Sequence, residues 1–207
     1  MRESGRDRVY EFLKREVLTD PDLQGQFINE QHVADQVGVS RTPVREALLM
    51  LSAEELVQLV PKRGAYLAPM SGRQITELIE LRGILERFAA PKAMDPEILA
   101  EMRAALAAQH LVKAPGQAKE FIEQDTRFHT ALVRACGNEM LSRMYEGLRD
   151  RQIRAGLVAV FRLPGRQDGV LSEHQAIIDA LEAGDAEAAE KAIDAHLGTT
   201  LSIQLTT

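Results

Sequence analysis

Tryptophan is absent from the 207 residues, aromatic residues make up only 4% of them, and cysteine occurs once. The lone Cys136 leaves no internal disulfide framework, which argues against a disulfide-stapled secreted scaffold and for a reducing, cytoplasmic compartment. No apolar run approaches the length of a membrane span, so no membrane partner is expected, and the opening MRESGRDRVYEF lacks the apolar core of a signal peptide. Excess positive charge is missing too: 25 Lys and Arg stand against 31 Asp and Glu, a net charge of −6. The chain does have aliphatic residues. With 45% hydrophobic content it can bury a real core, and the dominance of alanine and leucine after residue 70 favours a helical second half. Two domains are expected, over residues 1–70 and 71–207.

Residues 38–51, GVSRTPVREALLML, and PKRG at 61–64 carry the densest signal. Gly38 punctuates a turn, Ser40 can cap a helix with its hydroxyl, and Pro43 is tolerated in a first turn, where its missing N–H costs little. Ala47, Leu48 and Leu51 form an inward stripe. Arg41, Thr42 and Arg45 then project from the first turn and a half, the end of a reading helix that enters the major groove. Arginine pairs bidentately with guanine, and Thr42 can touch a phosphate or a thymine methyl. Upstream, Val33, Ala34 and Val37 predict a short helix over 30–37, and Val9, Phe12, Leu13 and Val17 one face of a helix over 6–18. Downstream, LVQLV at 56–60 and AYLA at 65–68 predict two strands, with Lys62 and Arg63 at the tip and Gly64 relieving the turn.

Together these elements predict a winged helix-turn-helix that contacts double-stranded DNA through Ser40, Arg41, Thr42, Arg45, Lys62, Arg63 and Gly64. Any one arginine alone would read as a solvated helix charge. Residues 1–70 hold nine Lys and Arg against eleven Asp and Glu, so affinity must come from the local patch, doubled by a homodimer on a palindromic operator.

From residue 71 the pattern predicts an antiparallel all-α bundle of about six helices, over 73–93, 96–111, 117–135, 139–161, 168–182 and 185–204. Three histidines fall where such a bundle expects aliphatic side chains. His174 lies in the stripe Leu171, Ile177, Ile178, Leu181, and His196 in Ile193, Leu197, Thr200; His129 shares a face with Asp125, four residues before it. An isolated buried histidine is usually a hydrogen-bonded core residue. Four such groups on inward faces of separate helices are costly without a common partner, and one divalent metal satisfies them all. Zinc is the first expectation for Asp125, His129, His174 and His196, with nickel or manganese as alternatives, because such a donor set selects weakly. Arg82 sits within the stripe Ile75, Leu78, Ile79, Leu85, Ala89, with Glu86 one turn on. It reads either as a salt bridge at the stripe's edge or as a fork for an effector carboxylate. Arg134, Arg151 and Arg154 are unranked candidates, and His32 and His110 have polar settings and no assigned role.

The run Glu30-Gln-His-Val-Ala-Asp-Gln-Val-Gly-Val-Ser-Arg-Thr-Pro-Val-Arg-Glu-Ala-Leu48 resembles the first domain of GntR-family bacterial transcription regulators. It departs from them at Asp20–Gln26, where a proline-glycine turn is usual, and at Glu55, where a glycine is customary. The later pieces Asp125-x-x-Phe-His129, Gly137-Asn138, Glu173-His174-x-x-Ile177, Gly184-Asp185 and His196-Leu197 resemble the FCD ligand-binding domain of the FadR branch, in its shorter VanR-like version. The resemblance implies a metal on Asp125, His129, His174 and His196 with positions open to water or to an effector carboxylate, and an arginine at the place of Arg82. A ligand-responsive transcription regulator, most simply a repressor, with a small organic acid bound near the metal as its effector, is therefore expected. Two alternatives use the same cluster: a metal-dependent enzyme with Glu86 or Glu173 as base, and a sensor of the metal itself.

Overall fold

A computed structural model describes residues 4–114 and 116–206. Residues 1–3, the start of the stretch without a signal-peptide core, and Pro115, in the expected break at 113–116, lie outside the described residues. The chain divides into two compact units, Met1–Met70 and Ser71–Thr207.

In the first unit α1 (Gly5–Phe12) runs on into a single π turn (Leu13–Val17), followed by α2 (Glu30–Val37), α3 (Arg41–Ala53), β1 (Gln58–Val60) and β2 (Gly64–Tyr66). Asn29 caps α2 by accepting the His32 N–H, and Gly38 ends it in the left-handed region at φ 70°, which turns the chain toward α3. Val9, Leu13, Val33, Ala34, Val44, Ala47, Leu48 and Leu51 close one core between the three helices. Phe12 only packs on its margin.

The hairpin pairs Gln58 with Tyr66, Leu59 with Ala65 and Val60 with Gly64. It is shorter than the sequence suggests, for two reasons. Leu56 and Val57 are drawn into the core, and Leu67 pairs instead with the segment before α2, through Gly25 N–H to Leu67 O (2.7 Å) and Leu67 N–H to Gln26 O (2.9 Å).

Glu55 occupies the left-handed position that ends α3, at φ 60°, while the Leu56 N–H returns to Leu51 O (2.9 Å). A side chain there costs about 1–2 kcal/mol, against about 0.5–1 kcal/mol of extra unfolded-state freedom for glycine. Glu55→Gly is therefore expected to stabilise the first unit by up to about 1 kcal/mol. Urea unfolding of the full chain measures this, and a lowered midpoint would mean that the contacts of the Glu55 side chain outweigh its strain.

The second unit is all helical: α4 (Gly72–Ala89) with a short 3-10 turn (Ala90–Lys92), α5 (Pro96–Leu111), α6 (Ala118–Arg134), α7 (Glu139–Glu146), α8 (Arg149–Arg162), α9 (Arg166–Glu182) and α10 (Ala186–Leu205). Ser71 and Gln74 form a reciprocal capping box that starts α4, and Asp95, Asn138 and Asp185 cap α5, α7 and α10. The helix expected over 139–161 is two helices. The chain tightens at Gly147-Leu148, where the Leu148 N–H reaches only to Tyr145 O (3.0 Å), and α8 starts afresh. α5 packs on α6 and α9, α10 on α9 and α4, and α8 on α6, so the inward faces of α4, α5, α6, α9 and α10 meet in the bundle's middle. Among the described residues no helix is long and apolar enough to cross a membrane.

Candidate functional site

Asp125 and His129, one turn apart on α6, His174 on α9 and His196 on α10 come together with one ligand atom each, all within 4.8 Å of one another. The three imidazoles are buried, and Asp125 is partly exposed. His174 Nε2 lies 3.2 Å from His129 Nε2 and 3.4 Å from Asp125 Oδ1, and His129 Nε2 lies 3.8 Å from Asp125 Oδ2. The Phe128 ring stacks flat on His174, centroids 4.0 Å apart, and fixes its plane.

The other nitrogens of His174 and His196 are hydrogen-bonded, and that of His129 faces a carboxylate. His196 Nδ1 is 2.7 Å from Glu173 Oε2, and His129 Nδ1 is 2.9 Å from Glu86 Oε2 in an oblique approach. His174 Nδ1 is 3.0 Å from Gln109 Oε1, whose amide nitrogen faces Phe121 O and Asp125 Oδ1 at 3.4 and 3.5 Å. Carboxylates only accept hydrogen bonds, and the Gln109 amide is oriented by its own donors. On His196 and His174, Nδ1 therefore carries the proton and Nε2 is left as the acceptor, and His129 turns its own Nε2 to that of His174. Lone pairs facing one another beside a carboxylate repel unless a cation lies among them. The donor set and its outer hydrogen bonds thus fit a divalent metal.

The electrostatics agree. Burial, and then the neighbouring His196 and His129, hold His174 well below the usual histidine range, and burial lowers His196 despite its bond to Glu173. Both rings are held neutral, the form that binds metal.

Two ion pairs brace this shell. On α4, Arg82 Nε donates to Glu86 Oε1 (2.8 Å) and the Tyr145 hydroxyl donates to the same oxygen (2.6 Å). Burial alone would raise the Glu86 carboxyl, but the Arg82 charge, then the nearby His129 and the Tyr145 hydroxyl, outweigh it and hold it well below the carboxylate range. Arg82 is thus buried against Glu86 rather than paired at the edge of its stripe, and its Nη2 has no hydrogen-bond partner. On α9, Arg166 grips Glu173 with both Nη atoms (2.6 and 2.8 Å) and also donates to Thr200 Oγ1 (3.0 Å). Burial again opposes the charge on Glu173, and the bonds from His196 and Arg166 prevail. Of the two glutamates offered by the sequence as bases, Glu86 is therefore committed to Arg82 and Tyr145, and Glu173 to Arg166 and His196. Gln109 and Arg166 were missed; the one signal for Gln109 is an amide in line with the buried Met102 and Leu106 of α5.

Arg134 is exposed beside Glu101, and Arg154 is buried on α8, where burial and then Arg151 push its guanidinium down to about 10. His32 and His110 are exposed.

On the first unit Ser40 stands at the N-cap of α3, but its hydroxyl makes no capping bond, contrary to expectation. Arg41, Thr42 and Arg45 are exposed along the start of that helix. Glu30, the first residue of α2, accepts from Arg41 Nη2 (2.7 Å) and Nε (3.3 Å) and from Arg45 Nε (2.9 Å) on one oxygen, Oε2. At the wing tip Lys62 is exposed at φ 64°, Gly64 takes φ 100°, and the Arg63 guanidinium lies over the Phe27 ring, 4.3 Å from its centroid.

Comparison with known proteins bears on both units. The family described as bacterial regulatory proteins, gntR family, matches residues 6–67, and the FCD domain family matches residues 77–199. An uncharacterized HTH-type transcriptional regulator of an unstable DNA locus in Streptomyces ambofaciens is 32% identical over 94% of this chain and 82% of its own. A Paenarthrobacter nicotinovorans protein named for repression of a D-xylose utilization operon is 30% identical over 94% and 86%. A solved GntR transcriptional regulator from Rhodococcus sp. RHA1 superposes with TM-score 0.83 at 24% identity, covering 99% of this chain and all of that one, and shares the fold.

Proposed function

The chain belongs to the GntR family of bacterial transcription regulators with a C-terminal FCD domain, not to an enzyme family, and on that premise we propose that it is a homodimeric, ligand-responsive repressor. In this reading Asp125, His129, His174 and His196 hold a divalent metal, zinc before nickel or manganese. Ser40, Arg41, Thr42, Arg45, Lys62, Arg63 and Gly64 meet a palindromic operator. The observation that carries the sensing half is the convergence of His129, His174 and His196 with the Asp125 carboxylate, one ligand atom each within 4.8 Å of the others. When bound, the metal supplies positive charge and open coordination positions to a carboxylate. Arg82, whose buried Nη2 has no partner, is the second anchor for that ligand. A small organic acid is therefore the proposed effector, and its binding shifts the balance between dimer forms that do and do not fit the operator. Repression is supported by the name of the Paenarthrobacter relative.

The test of the reading half is a DNA titration at several salt concentrations. Arg45→Ala should lose about 1–3 kcal/mol of operator binding and relax sequence preference. Lys62→Ala should weaken all sequences alike and reduce the salt slope by about one. Undiminished operator affinity in the Arg45 variant would remove it from the reader role. For the sensing half, dicarboxylates and sugar acids are screened by thermal shift and the best is added to the DNA titration. No change in DNA affinity with any of them would sink the effector reading.

A further inference from the structure

Two arginines one turn apart on an exposed helix face repel each other and, unrestrained, sweep a wide range of rotamers. Here both are tied to one atom: Glu30 Oε2 takes the Nε of Arg41 and of Arg45 and also Nη2 of Arg41. The tie crosses elements. Glu30 opens α2, Arg41 and Arg45 lie on the first turn and a half of α3, and the intervening Gly38 turn sets the spacing. The Glu30 side chain is the least exposed of the three, so it is the fixed post to which the two exposed guanidiniums are moored.

We propose that Glu30 is a specificity-determining residue, which positions Arg41 and Arg45 for bases and penalises their use on the DNA backbone; this rests on the operator-reading role proposed above for those two arginines. The chemistry of the two targets differs. Guanine offers neutral O6 and N7 acceptors, which the Nη end of a guanidinium can meet while Nε stays on Glu30. A phosphate brings a full negative charge next to the Glu30 carboxylate, so that contact is either repelled or requires the arginine to leave its mooring. Base reading keeps the triad and nonspecific binding breaks it. A carboxylate on an interface already short of cations thus lowers affinity for every sequence but lowers it most for the wrong ones.

The experiment compares the duplex that wild-type chain selects from random sequence with a scrambled duplex of the same composition. Both are titrated at several salt concentrations against wild type, Glu30→Gln, Glu30→Asp and Arg45→Ala. In Glu30→Gln the scrambled duplex should bind more tightly and the selected one no more tightly, so that the ratio falls about tenfold. The salt slope on scrambled DNA should steepen by about one, as a released arginine finds a phosphate. Glu30→Asp keeps the charge on a chain one methylene shorter and should also lower the ratio. A wild-type ratio in Glu30→Gln overturns the proposal, and a wild-type ratio in Glu30→Asp overturns the positioning half by reducing Glu30 to a bare charge. Arg45→Ala separates the levels. If it loses sequence preference while Glu30→Gln keeps it, only the role of Glu30 falls; if it keeps sequence preference, the underlying reading falls.

Discussion

An Arg82→Ala chain is expected to lose about 3–5 kcal/mol of stability in its C-terminal unit, the usual cost of stripping the partner from a buried charge. Glu86 is fully buried, and Arg82 is the cation that holds it ionised against that burial. Without Arg82 the carboxylate keeps only the Tyr145 hydroxyl and the oblique contact with His129. Chemical unfolding of the single and double variants measures the coupling. Arg82→Ala/Glu86→Gln should recover much of the loss, because a neutral amide no longer needs the cation. Wild-type stability in Arg82→Ala would show that Glu86 is not charged as described. The same substitution should weaken metal binding by about 10–100-fold, since Glu86 orients a proposed ligand. A clean test of effector anchoring therefore needs Arg82→Lys, which keeps a charge beside Glu86 but lacks the fork.

Protein purified without a histidine tag is expected to carry about one divalent ion per chain, and His174→Ala to lose it. Free metal at a hundred times its dissociation constant stabilises the folded state by about 2.7 kcal/mol, so the loss should appear as a lower melting temperature that added metal does not restore. Elemental analysis and thermal unfolding are the two readouts. Equal metal content in wild type and in a His129→Ala/His174→Ala variant would reduce the cluster to a hydrogen-bonded polar core.

Much of this architecture was legible because it is written in local spacing. Gly38, Pro43 and the stripe Ala47, Leu48, Leu51 mark α3, and histidines in aliphatic stripes mark the centre of the bundle. The rest depends on which helices meet. Nothing in the order of residues says that Glu86 on α4 reaches His129 on α6, that Gln109 on α5 reaches His174 on α9, or that Arg166 closes on Glu173 while bonding Thr200. The mooring of Arg41 and Arg45 to Glu30 is hidden for the same reason, since it is set by the angle between α2 and α3. The break at 147–148 escaped because both flanking segments keep helical periodicity, while Tyr145 is held by a glutamate 59 positions away.

The cluster draws its four donors from α6, α9 and α10 and the groups that back them from α4, α5 and α9. An ion seated there would be enclosed by side chains of five helices, with the partly exposed Asp125 as its only margin toward solvent among the four donors. Its departure would then be timed by the breathing of the bundle rather than by the strength of any one bond, and exchange with external metal would be slow. A sensor of metal supply must let its ion come and go on the timescale of the signal. On the proposed reading, an ion seated there would be acquired once, during folding, and kept as a resident part of the receptor while other ligands pass.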